Sequence, residues 1–254
     1  DTWIVAGQGT PVLISDQVQL GVEKYWGEVW SASLEGYYRS FDGVTDFNLA
    51  DDPNDPDDDV LQGRGSSAGL DLLVRRNRGP LTGWTTVSLL RAERTLPDPA
   101  AEGWEDVPPE VTFPPTFDRR IDVDVVLQYD APRGVELGLR WNFGSPLPYT
   151  RPVAQYFSWR YAPLQRQYEA LDQPGDGPPV LVRLGDRNGE RYPPYHRLDI
   201  TVRKEFQRSW GSWTPYLQVL NAYNRKNVLW YFFNYDRTPP TPSGLSMFPV
   251  LPGV

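Results

Sequence analysis

The chain has 254 residues, 25 lysines and arginines against 33 aspartates and glutamates, a formal net charge of −8 and no cysteine. That balance excludes a general affinity for nucleic acid. The missing thiols exclude disulfides, cysteine catalysis, Cys-ligated zinc and iron–sulfur clusters, while 39% hydrophobic residues are too many for a disordered chain.

Taken in chain order, eight segments alternate with a period of two, the mark of a strand with two unlike faces. Gln17–Tyr25 sets Val18, Leu20 and Val22 against Gln17, Gln19, Gly21 and Glu23. Val29–Phe41 sets Trp30, Ala32, Leu34, Gly36 and Tyr38 against Ser31, Ser33, Glu35, Tyr37 and Arg39. Ser67–Arg76 sets Ala68, Leu70, Leu72 and Val74 against Gly69, Asp71, Leu73 and Arg75. Gly83–Glu93 reads as a strand whose facing the pattern leaves open. Arg120–Tyr129 sets Ile121, Val123, Val125, Leu127 and Tyr129 against Asp122, Asp124, Val126 and Gln128. Val135–Phe143 is the cleanest, with Val135, Leu137, Leu139, Trp141 and Phe143 against Glu136, Gly138, Arg140 and Asn142. Arg197–Phe206 sets Leu198, Ile200 and Val202 against Asp199, Thr201, Arg203 and Glu205, and Trp213–Leu220 sets Leu217 and Val219 against Tyr216 and Gln218. No helical period persists, and no apolar run reaches the ~18 residues of a crossing helix.

The connections alternate in length. Short ones occupy Trp26–Glu28, Asn77–Thr82, Asp130–Gly134 and Gln207–Ser212. Long ones occupy Asp42–Ser66, Thr95–Arg119, Gly144–His196 and Asn221–Phe248, and they hold most of the prolines and acidic runs. Long structureless loops are uncommon in compact domains, whereas outer-membrane barrels combine short periplasmic turns with long extracellular loops. Aromatics gather on the short-turn side: Tyr25, Trp26, Trp30, Trp84, Tyr129, Phe206, Trp210 and Trp213. This matches an interfacial girdle. The reading is an all-β antiparallel transmembrane barrel in the outer membrane. Its lipid side is apolar and its lumen carries Glu23, Glu35, Arg39, Asp71, Arg75, Asp122, Asp124, Glu136, Arg140, Asp199, Arg203 and Glu205.

Several stretches resemble TonB-dependent outer-membrane receptors: GLDLLVRRNRGPLTGWTTVSLLRAERT at 69–95, FPPTFDRRIDVDVVLQY at 113–129 and ELGLRWNFGSPLPYT at 136–150. PPYHRLDITVRKEF at 193–206 followed by WTPYLQVLNAYNRKNV at 213–228 is similar to their penultimate strand pair, an Arg-Leu-Asp strand and then one entering an Asn-x-x-Asn loop. FPVLPGV at 248–254 resembles the entry to their final strand. The resemblance implies a 22-stranded barrel around a plug, of which residues 1–254 supply about the last eight to ten strands; the plug and the first barrel half are not in this sequence. A self-contained ten-stranded barrel, with partial strands at Val5–Ile14 and Leu245–Val254, is the alternative. The resemblance further implies uptake of a scarce large solute such as a siderophore, cobalamin or a glycan. Partners would be lipid, the plug and a TonB-type energising protein. A barrel acting as a scaffold in a larger envelope assembly, without transport, is a second reading, and a soluble β-rich binding module a third.

No nucleophile–base, zinc-hydrolase, phosphate-loop or dinucleotide motif is present, so no enzyme and no cofactor is expected. The lone histidine, His196, cannot hold a transition metal unaided. DDPNDPDDDV at 51–60 offers Asp55, Asp57, Asp58 and Asp59 as oxygen ligands for Ca²⁺, or reads as a solvated loop. Tyr149, Arg151, Tyr156, Trp159, Arg160 and Tyr161 in the longest connection are candidate ligand contacts, by stacking and charge, or a cluster that folds the loop.

Overall fold

A computed structural model describes residues 11–47, 60–98, 109–157, 159–162, 166–170 and 180–253. Nine strands run as an antiparallel meander, each beside its sequence neighbours in the wall: β1 (Ile14–Trp26), β2 (Trp30–Phe47), β3 (Val60–Arg76), β4 (Leu81–Pro97), β5 (Ile121–Ala131), β6 (Val135–Gly144), β7 (Tyr195–Lys204), β8 (Tyr216–Leu220) and β9 (Leu251–Gly253). A four-residue strand, Glu110–Phe113, adds to the outer end of β4. Among the described residues β1 pairs only with β2 and β9 only with β8, so the wall is open at both sides. A closed ten-stranded barrel is not formed by these residues.

Register decides the faces, because a slip of one residue would turn every side chain over. One row runs Leu34↔Leu72, Leu72↔Val87, Val87↔Val123 and Val123↔Phe143. The next runs Thr85↔Val125, Val125↔Trp141 and Trp141↔Leu198, and a third takes Leu127↔Leu139, Leu139↔Ile200 and Ile200↔Val219. The apolar residues of all eight alternating segments thereby form one belt on one face. The open facing of β4 is settled: Thr85, Val87 and Leu89 join the belt, and Trp84, Thr86, Ser88 and Leu90 lie opposite. The belt is not a protein core. Leu20 is 82% exposed, and Val18, Val22, Leu70, Leu137 and Ile200 are exposed with it. A contiguous exposed apolar surface of this extent marks an interaction face, with membrane or with protein.

Two expectations change. Trp84 and Tyr25 fall on the polar face, Trp84 between Arg75 and Val126 and Tyr25 with its hydroxyl donating to Glu23 at 2.5 Å. The aromatic band on the belt side is therefore narrower: Trp26 and Trp30 pair directly, Tyr129 faces Leu137, and Phe206 stacks on Trp213 at 5.5 Å. Second, the long connections are not structureless. Pro148–Tyr149 pairs with Glu190–Arg191, Pro152–Phe157 with Val180–Leu184, Trp159–Ala162 with Gln167–Ala170, and Val228–Asn234 with Thr241–Ser246. Backbone groups that leave the wall find partners in these small ladders.

Candidate functional site

The polar face carries the candidate site. Strand alternation places Glu23, Glu35, Arg39, Asp71, Arg75, Asp122, Asp124, Glu136, Arg140, Asp199 and Arg203 there together, and Glu205 continues that side past the end of β7. Toward β7 most of their charges are compensated, Arg140 excepted among the described residues. Arg203 pairs with Glu136, its cross-strand neighbour, and Arg197 pairs with Asp199 at 2.8 Å. Asn142 donates to Asp124, and Arg119 reaches Asp122 at 2.7 Å. Toward β2 they are not compensated: Glu35 and Asp71 sit directly opposite each other, an unfavourable juxtaposition of like charges. Arg39 donates from Nε at 2.7 Å and from Nη2 to the Gln17 amide oxygen, a neutral partner.

Above the belt, at the long-connection rim, loops are tied down by buried polar residues. Asp118 is fully buried and accepts from the Ala92 amide at 2.9 Å, from Arg120 Nε at 2.7 Å and from Arg191 Nη2 at 2.7 Å. Asn188 donates to the Pro114 carbonyl at 2.8 Å, while its own amide donates to Thr150 Oγ1. Arg187 lies 4.5 Å over the Phe113 ring and pairs with Asp46 at 2.5 Å. These bonds draw Pro114–Asp118 into a strap across the top of β4, and Pro115 and Phe117 close one side of a cavity of about 950 Å³. Its floor is the polar face of β1 to β4, including Gln17, Glu35, Tyr37, Arg39 and Leu90.

The Arg-Leu-Asp and Asn-x-x-Asn segments meet at the same rim. Asp199 accepts the Asn221 amide at 2.9 Å, and Asn221 Nδ2 donates to the Arg225 and Phe248 carbonyls. Asn221 and Asn224 both take positive φ, 53° and 54°, which asparagine tolerates better than most residues. Asn227 extends the ladder of β7 with side-chain atoms, its Oδ1 accepting the His196 amide and its Nδ2 donating to the His196 carbonyl. His196 lies on the belt side, its ring bonded to the Tyr223 hydroxyl at 2.7 Å.

Of the candidate ligand contacts, Tyr149 joins a cluster with Tyr192, Tyr231 and Phe233, at 4.5, 5.6 and 6.4 Å between ring centroids. Burial raises the phenol pKa values of Tyr149 and Tyr192. This cluster joins the Pro148–Tyr149 ladder to the Val228–Ser246 hairpin, so Tyr149 packs loop on loop. Arg151 donates to the Pro240 carbonyl at 3.1 Å, and Tyr156 is exposed. Trp159, Arg160 and Tyr161 are in the Trp159–Ala162 ladder, paired by backbone with Gln167–Ala170. The six residues are thus split among separate loop elements. Asp55, Asp57, Asp58 and Asp59 lie outside the described residues. The sequence reading missed Asp118 and the strap. A buried aspartate in a loop has no periodic signal, and the only hint was Asp118 beside Arg119 and Arg120.

No family model matches the sequence, and no curated protein matches it. Among solved structures the chain is similar in fold to the FrpB iron transporter from Neisseria meningitidis (F3-3 variant), with a TM-score of 0.50 at 14% identity. That match covers 91% of this chain and 30% of the other, so the chain spans about a third of that neighbour's length. The likeness is one of fold: an antiparallel strand meander of the outer-membrane barrel type.

Proposed function

We propose that this chain is the C-terminal part of the barrel of a TonB-dependent outer-membrane receptor that takes up a large, scarce solute. The observation that carries the reading is the division of the wall. Eight strands share one apolar belt, while their other face is polar and carries the charges of β1 to β3 and β5 to β7. A lipid-facing exterior and a wet lumen explain both. In this reading the short-turn rim is periplasmic and the long-connection rim extracellular. The edge of β1, unpaired among the described residues, supports further strands completing the barrel. Lumenal ion pairs such as Arg203–Glu136 maintain the wall, and the strap and loop ladders form the outer vestibule.

The experiment is assembly into detergent or liposomes, with membrane partition and heat-modifiable migration as readouts. A chain that stays monomeric and soluble without detergent sinks the membrane reading. Transport is separated from scaffolding by solute uptake in cells with and without the inner-membrane energising complex. Uptake that persists without that complex removes the TonB-dependent reading.

A further inference from the structure

Two uncompensated charges of the wall line the 950 Å³ cavity. Glu35 and Arg39 both line it, on the same face of β2. Four residues of strand separate their Cα atoms by about 13 Å. Among the described residues Glu35 enters no hydrogen bond or ion pair, and its cross-strand neighbours are Gly21 and Asp71. Arg39 enters no ion pair either, its guanidinium being held by the neutral Gln17 amide. Charges at a partly enclosed site prefer a partner of opposite sign. The other charges lining the cavity have partners, Glu93 in Arg91 at 2.6 Å and Arg94 in Asp46 at 4.0 Å, which leaves Glu35 and Arg39 as a fixed anion and a fixed cation, apart and facing the same space.

Between them lies an apolar platform. The Tyr37 ring lies flat over Gly69, so closely that a methyl there would meet a ring carbon at 2.4 Å. Gly69 thus fixes the ring as a floor, a strand glycine covered by a cross-strand aromatic. Leu90 flanks the ring, and Phe117 of the strap stands over the mouth, 56% exposed. The volume is within the ~300–1,000 Å³ range of small-molecule sites.

We propose that this cavity binds a short zwitterionic peptide or peptide-like solute, its carboxylate on Arg39, its ammonium on Glu35 and an apolar side chain on Tyr37. An extended chain of about four residues spans the two charges, at ~3.3–3.6 Å per residue. Guanidinium–carboxylate pairing gives the direction of binding, and the Glu35–Asp71 pair accepts the ammonium end. The inference rests on the reading of this face as wet lumen and deepens it by naming the solute class.

The test is calorimetric titration of Ala-Phe-Ala-Ala into the folded chain in detergent, beside its N-acetylated and C-amidated forms. Blocking either end is expected to weaken binding about tenfold or more, the scale of one charge-assisted contact. Glu35→Gln is expected to weaken the free peptide to the level of the acetylated one, with little further loss when both changes are combined. Arg39→Gln does the same for the amidated peptide. Equal binding of free and blocked peptides, or no binding up to millimolar concentration, overturns the proposal. The blocked peptides decide on the unmodified chain even if a variant fails to assemble. A chain that assembles in detergent without binding refutes the peptide site alone; one that never partitions into detergent refutes the membrane reading first.

Discussion

The two rims of the wall are built by different means. At the short-turn rim the strands are closed by a few residues and little else. Gly27, Gly79 and Gly211 supply positive φ at three of the turns, and Arg133–Gly134 at the fourth. No described residue there is buried; Trp26, Trp213 and Trp210 stand exposed. At the long-connection rim lie the buried apolar residues, Val44, Ala92, Leu96 and Phe113, and beside them the buried Asp118, Asn188, Asp199, Asn221 and Asn227. The difference follows from what each rim must do. A short turn satisfies its own backbone, and its aromatics can rest in a membrane interface. A long connection has many backbone groups with no strand to receive them, so side-chain amides and carboxylates must serve. Under the proposed orientation, the chain's water-excluded packing is concentrated outside the membrane, where the solute is met.

Between the rims, the belt sets the largest expected effect. Leu139 lies between Leu127 and Ile200 in the middle of the apolar face. Leu139→Arg is expected to cost about 2–4 kcal/mol of assembly stability in lipid, while Arg140→Leu on the other face costs about 1 or less. Urea titration of the two variants in liposomes checks this. A tolerated Leu139→Arg with a lost Arg140→Leu would reverse inside and outside, and the comparison of rims with it. Next comes the long-connection rim. Asp118→Ala leaves the Ala92 amide and two guanidiniums without their acceptor; because both arginines are partly exposed, the expected cost is about 2–3 kcal/mol. The loss should appear as proteolysis within 109–120 and 186–192, with the belt still protected. Protection unchanged at these loops would show that the strap is held by something other than Asp118.

What was legible in the sequence tracks what repeats. Val135–Phe143 alternates without a fault because one side meets one environment along its whole length, and the structure returns it almost residue for residue. The extension of β2 to Phe47, β3 back to Val60 and β4 to Pro97 was not legible. Those ends carry Asp42, Gln62, Gly63, Arg64 and Gly65, polar and small on both faces, so no period of two runs through them. Trp84 was misassigned by proximity to a turn, since turn proximity does not fix which way a side chain points. The Arg-Leu-Asp and Asn-x-x-Asn segments were seen as a pair, and the structure supplies their reason, Asp199 receiving the Asn221 amide. The cavity was invisible because it assembles four strands and a strap from residues as far apart as Pro11 and Phe117.

Asn221 offers a smaller break in the same rim. Its side chain bonds Arg225 twice and the Phe248 carbonyl once, and its φ of 53° suits asparagine. Asn221→Ala is expected to cost about 1–2 kcal/mol. Asn221→Gly should recover the backbone share and leave the lost bonds. If the two variants were equally unstable, the hydrogen bonds alone would be responsible.

The smallest effect sits at the exposed fringe. Arg64 grips Glu110 with two bonds, 2.8 and 2.6 Å, holding Glu110–Phe113 against β4 together with the Thr95–Thr112 hydroxyl contact at 2.8 Å. The hydrogen bond from Arg64 lowers the Glu110 carboxyl below its ordinary value of 4.5. A lowered folded value means the folded state holds the proton less readily than the unfolded one. The contribution is therefore complete above the ordinary carboxylate range and is lost as pH falls through the lowered value. Both side chains are largely exposed, so the effect is local fraying rather than unfolding. Hydrogen exchange at Val111 and Phe113, corrected for intrinsic rates, should quicken as pH falls below the ordinary carboxylate range and lose that dependence in Arg64→Gln. Exchange indifferent to pH in the unmodified chain would mean that this short strand is held by its backbone ladder alone.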